Sequence, residues 1–148
     1  MKNDAELIAE KLENAIHRAM QSTVADEVKL AIMESVQENV YDAYEPTQYV
    51  RRGTDGGGLA DPNAMAQGYD YATMTLEIGS FGADPFRGKK DVASIVESGS
   101  GYTWTNSHIA QHPFPRPFHK PAEERLAQGN EIDNAIKAEL LKAGFDVK

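Results

Sequence analysis

The sequence predicts an α+β protein, helical at both ends and built of strands and loops between, and three observations carry that expectation. Apolar residues recur at every fourth position through the first third, an alternating stretch lies in the middle, and residues 121–148 return to helical spacing. With 148 residues the chain fits one domain, 1–148, in which residues 1–46 are helical, residues 47–120 form strands and loops, and residues 121–148 form a C-terminal helix.

The first third places Ile8, Leu12, Ile16, Met20, Val24, Val28, Ile32, Val36 and Val40 in one series. A four-residue step turns about 40° on a helix of 3.6 residues per turn, so one straight helix cannot aim them all at one partner. A break at Gln21-Ser22-Thr23 resets the phase, with Thr23 and Asp26 as a cap, and predicts helices over 4–21 and 24–42 that end before Pro46. The stripe reads as core packing.

Residues 47–68 read as a short extended piece and a glycine-rich loop, expected to order on assembly, with Leu59 packing inward. The triple glycine is a poor phosphate cradle: no Gly-Lys-Ser/Thr follows, no helix opens, and Asp55 and Asp61 carry the wrong sign. Tyr69 to Ile78 alternates as one strand with Met74, Leu76 and Ile78 on one face and Gly79 at its end. Residues 80–90 read as a surface loop bearing Arg87, Lys89 and Lys90, and 91–99 as a strand or short helix, with a mostly extended reading favoured. Prolines hold 113–121 extended, and Pro121 suits the first turn of the last helix. That helix is expected to weaken at Gly129-Asn130 and to end at a left-handed Gly144, with Phe145 folding back.

Chemistry is hard to find. Cysteine is absent, which removes disulfides, thiolate metal sites and cysteine nucleophiles. Net charge is -8, with carboxylates against Lys and Arg at 10 to 4 in 1–46, 7 to 7 in 47–120 and 6 to 4 in 121–148, so no basic face is available for duplex DNA. No segment approaches the roughly 18 apolar residues of a membrane span, and the acidic start lacks a leader's apolar run, so an intracellular, soluble product is expected. His108, His112 and His119 with Glu97 are the candidate metal ligands, but the first two stand in sequence that does not read as helix. Ser98-Gly99-Ser100-Gly101 lacks a nucleophile elbow, and Glu77 with Glu97 is a pair any half-buried sheet offers. No enzyme, metal or cofactor is expected. Aromatics, prolines and an arginine concentrate instead in Tyr102 to Ser107 and Pro113 to Phe118, the composition of a helix-covering flap or a protein interface.

Four blocks complete the reading: Tyr41-Asp42-Ala43-Tyr44-Glu45-Pro46 leading to Tyr49-Val50-Arg51-Arg52; Gly57-Gly58-Leu59-Ala60-Asp61-Pro62; Val96-Glu97-Ser98-Gly99-Ser100-Gly101-Tyr102-Thr103-Trp104; and Pro113-Phe114-Pro115-Arg116-Pro117-Phe118. In order and spacing these resemble the tail-completion, or neck, family of long-tailed double-stranded-DNA phages of Gram-positive bacteria. The resemblance implies N-terminal and C-terminal helices packed on a small, mainly antiparallel twisted sheet with long loops. It also implies a non-enzymatic virion subunit without cofactor, forming a ring, by tube symmetry a hexamer, at the head-proximal end of the tail. Expected partners are other copies of itself and the neighbouring tail terminator, connector or stopper and tail tube, with DNA crossing the lumen unbound and no membrane involved. Localisation would be the virion neck, after assembly in the host cytoplasm. A terminator or other connector subunit is the near alternative. From other classes come a metal-dependent hydrolase using His108, His112 and Glu97, and a monomeric adaptor binding through the proline-rich segment. The expected interface residues are Arg51, Arg52, Leu59, Tyr102, Trp104, Phe114, Arg116 and Phe118.

Overall fold

Asn3 opens the first helix with a reciprocal cap: its side chain accepts the Glu6 N–H at 2.9 Å and the Glu6 carboxylate accepts the Asn3 N–H at 2.8 Å. The computed structural model describes residues 1–45, 56–80, 83–84, 88–102, 109 and 113–148, with 83–84 and 88–90 as backbone. Helix α1 runs Asp4–Gln21 and α2 Thr23–Val36, so the break falls where the phase of the apolar series requires it. The cap differs from expectation. Ser22, not Thr23, is the N-cap of α2, and its hydroxyl donates backward to the Arg18 carbonyl at 2.6 Å instead of forward. Thr23 Oγ1 is buried with no partner among the described residues.

After Val36 the helix widens into a π turn, Gln37–Tyr41, closed by the Asp42 N–H on the Gln37 carbonyl at 2.9 Å. The wider turn sets back the drift of a four-residue step, and Val36 and Val40 both remain buried.

The expected single strand over 69–78 is a hairpin. Strand β1, Met65–Asp70, pairs antiparallel with β2, Thr75–Ser80, in a register from Met65 opposite Ser80 to Asp70 opposite Thr75. Asp70 makes the turn by accepting the Ala72 N–H at 2.9 Å and the Thr73 N–H at 3.4 Å, and Met74 takes a left-handed φ of 52°. Met74 is therefore exposed at the turn and not on the inner face with Leu76 and Ile78, which pack on α2. Gly79, expected as a terminator, pairs with Ala66 inside the ladder.

The described end of the glycine-rich loop, from Gly56 on, is tied to its neighbours. Asp61, buried, accepts the Gly57 and Asn63 N–H groups at 2.9 Å each and so caps a 3-10 turn, Pro62–Ala64, while Leu59 and Ala60 enter the core. The segment expected as a loop over 80–90 contains a second antiparallel pair, β3 Ala83–Asp84 with β4 Gly88–Asp91. The segment favoured as extended over 91–99 is helix α3, Val92–Ser98, capped by Asp91 on the Ser94 N–H and stopped by Gly99 at φ 69°. The C-terminal helical stretch is two helices, α4 His119–Gln128 and α5 Glu131–Lys142, parted at the expected Gly129-Asn130. Beyond α5, the Gly144 N–H reaches Leu141 and the Phe145 N–H reaches Leu140, and Phe145 lies 5.5 Å beneath Lys11 Nζ.

The class is α+β, with helices and two small antiparallel pairs among the described residues, β2 packing on α2. One core gathers Ile32, Val36 and Val40 with Leu59, Met65, Ala93, Val96, Phe118 and Ala122; a second joins Ala19 and Val24 to Ala135. No described helix is long and apolar enough to cross a membrane. Burial predicts that Ile32→Ala costs about 2–5 kcal/mol, against about 0.5 kcal/mol or less for the exposed Leu30→Ala two residues earlier. Urea unfolding of the two variants checks the contrast.

Candidate protein interface

The proline-dense segment 113–118 has no regular secondary structure and is fixed by hydrogen bonds to α2 and α3, whereas 119–121, expected to be extended with it, form the first turn of α4. The Arg116 N–H donates to the Val96 carbonyl at 3.0 Å, and the Phe118 carbonyl accepts the buried Ser35 hydroxyl at 2.7 Å. Phe118 itself is 0% exposed. At its end, Glu97 Oε1 accepts the N–H groups of Phe118 at 3.2 Å and His119 at 2.9 Å and lies 3.1 Å from His119 Nδ1. The opposite ring nitrogen, Nε2, accepts the Ser80 N–H at 3.0 Å, so it carries no proton and Nδ1–H is the donor to Glu97. One carboxylate and one imidazole thus tie α3, α4 and β2 together.

Burial raises the Glu97 pKa, and the opposing effects outweigh it: the backbone N–H groups of His119 and Phe118 and the His119 ring N–H together hold the carboxyl below its ordinary value. Serine, histidine and carboxylate meet here without forming a nucleophile triad. The Ser80 hydroxyl is fully buried and donates away from the ring, to the Leu59 carbonyl at 2.6 Å.

Arg116 is buried as well. Its Nη2 donates to the Tyr102 hydroxyl at 2.6 Å and its Nη1 reaches the Val40 carbonyl at 3.5 Å. Cζ lies 5.8 Å from the Tyr44 ring centroid and 5.5 Å from that of Phe114, within cation–π reach of both. Nε finds no acceptor among the described residues.

The expected interface set therefore divides. Leu59, Arg116 and Phe118 are buried within the protomer and present no side-chain surface, because the core and the 113–118 crossing occupy them. Tyr102 is half-buried against Arg116, and Phe114, 39% exposed, is the outward member. Arg51, Arg52 and Trp104 lie outside the described residues, as do His108 and His112. Ile109, the one described residue between those histidines, is buried. Among the described residues no three His, Asp or Glu side chains could hold a metal, and Glu97 is engaged with His119. Sequence reasoning missed Ser35 and Ser80, which carry no pattern in the chain, and Asp61, whose place before Pro62 is a legible cap signal.

Fold and site define a small α+β protein whose distinctive polar residues hold its own segments together and whose remaining conspicuous features are apolar surfaces. The chain belongs to the YomN family, whose model matches residues 4–142. It is 31% identical over 133 residues to the "SPbeta prophage-derived uncharacterized protein YomN" of Bacillus subtilis strain 168, covering 88% of this chain and 85% of that protein. No solved structure matches the chain.

Two outcomes follow from the site. Glu97→Gln loses a charge-assisted cluster on a carboxylate 30% exposed, an expected cost of about 1 kcal/mol at pH 7. Because the folded pKa is lowered, that contribution is present above the ordinary Glu value of about 4.3 and disappears as pH falls through the folded one. Unfolding curves of both proteins should therefore converge in acid; a constant gap would contradict this. Gly99→Ala sets a Cβ 2.4 Å from the Phe114 carbonyl carbon at a left-handed φ, and thermal unfolding should show a loss of about 1–3 kcal/mol.

Proposed function

We propose that this chain is a non-enzymatic virion protein, a tail-completion or neck subunit that forms a ring at the head-proximal end of a phage tail and helps join head to tail. Kinship with a prophage-derived protein over 88% of the chain is the observation that carries the reading. The four sequence blocks that resemble the tail-completion family, at 41–52, 57–62, 96–104 and 113–118, supply the finer role. The chemistry agrees: the Ser80-His119-Glu97 cluster directs its hydrogen bonds to backbone and to itself, as a structural tie does.

In this reading the partners are further copies of the chain, with a hexamer expected, and the adjoining terminator, connector or stopper and tail tube. The acidic α1, with Asp4, Glu6, Glu10 and Glu13 on exposed turns, suits a lumen through which DNA passes without adhering. The protein resides in the host cytoplasm during assembly and in the neck afterwards.

The test is an amber mutation in the gene within the phage that carries it, with induced particles viewed by electron microscopy. Filled heads and finished tails should accumulate separately and join when purified protein is added. Normally joined, infectious particles without the protein would overturn the proposal.

A further inference from the structure

We infer that the first three turns of α1 seat in the groove between α2, β2 and α4 of a second copy of this chain, a contact that rests on the ring reading and names its geometry. Two complementary surfaces on one chain lead there. From Asp4 to Asn14 no residue of α1 is buried, although the apolar series continues through it: Leu7 is 50%, Ile8 59% and Leu12 37% exposed. An amphipathic helix draws most of its stability from covering such a stripe, and so few turns alone are marginal in water.

The second surface is a groove of about 330 Å³, walled by Val28 and Ile32 of α2, Ile78 of β2, and Ala122 and Leu126 of α4. It has room for a pair of aliphatic side chains, and its rim carries the exposed carboxylate of Glu123. Lys11 lies three residues after Ile8, on the same side of α1, so the helix that brings the apolar side chains can also bring a cation to that rim once its Nζ turns from the Phe145 ring. Pairing α1 with α1 of another copy would instead bring Asp4, Glu6, Glu10 and Glu13 against their own kind. Helix into groove is a heterologous contact, the kind that closes rings when its rotation permits.

The cysteine-free chain makes the test clean. Ile8→Cys and Leu126→Cys are prepared singly and together in the full-length protein, checked for folding by circular dichroism, and oxidised. The double variant should give a ladder of covalent multimers, and the two single variants mixed should cross-link about ten times faster than either alone. A double variant that stays uncross-linked or closes its disulfide within one chain, or an Ile8→Cys protein that dimerises as fast as the mixture, would overturn the contact. Sedimentation of Ile8→Asp separates this from the ring reading. If the wild type forms a closed oligomer and Ile8→Asp forms it equally, the contact is wrong and the ring stands. If the wild type is monomeric and the double variant does not cross-link, the contact and self-assembly of the free protein fall together, leaving the amber phenotype to decide the neck role.

Discussion

The structure depends on how the end of the 113–118 crossing is held. A proline-rich strand with no ladder partners leaves backbone groups to be satisfied one at a time, and at Phe118 all of them are: N–H on Glu97, carbonyl under Ser35, ring in the core. The arrangement is directional. Glu97 comes from α3, Ser35 from α2, and His119, the first residue of α4, reaches Ser80 at the end of β2. Three elements converge on two consecutive residues at the start of α4, so displacing this crossing would unpair groups of all three. A half-buried carboxylate that lost its donors would carry an uncompensated desolvation cost, which makes the arrangement close to all-or-none.

Legibility in the sequence followed the source of each signal. The boundary between α1 and α2 was legible almost to the residue because the drift of a four-residue repeat is a geometric contradiction that only a break near Ser22 resolves. The split at Gly129-Asn130 and the Gly144 stop were legible because glycine signals backbone directly. The β1–β2 hairpin was not, because its turn has neither glycine nor proline. Asp70 builds it with side-chain acceptance, and Met74 takes the left-handed position that Gly or Asn usually fills. Alternation runs on through such a turn as though nothing had happened. The sequence leaves α3 undecided between strand and short helix for a related reason: Val92, Ile95 and Val96 favour strands in so short a window, and only the Asp91 cap and the Gly99 stop mark the helix.

The candidate interface was legible in composition and not in direction. Aromatics, arginine and proline in 102–118 mark either a flap over a core or a surface for a partner, and the same residues serve both. The protomer uses Arg116 and Phe118 as flap, since Arg116 finds the Val40 carbonyl, the Tyr102 hydroxyl and two ring faces close at hand. The guanidinium is weakly hydrated for a cation and tolerates this company better than an ammonium would. No property of the linear chain distinguishes that outcome from an exposed arginine, because Val40 is 76 residues away.

The apolar series of the first third shows the reverse case. Read as one core stripe, it is buried from Val24 through Val40 with Val28 half-covered, half-buried at Ile16 and Met20, and exposed at Ile8 and Leu12. The sequence pattern does not change along its length; what changes is the supply of neighbours, since the apolar cluster with α5 and α2 takes in Ala19 and Met20 of α1 and none of its first three turns. A reciprocal Asn3–Glu6 cap and the Lys2–Glu10 pair at 2.7 Å steady the uncovered end, each contributing about 1 kcal/mol or less. Those are surface-strength interactions guarding turns whose spacing matches the core's. The uncovered stripe therefore keeps the format of a packed helix while lacking its packing, and in the proposed ring the neighbour that most simply supplies it is another copy of the same chain.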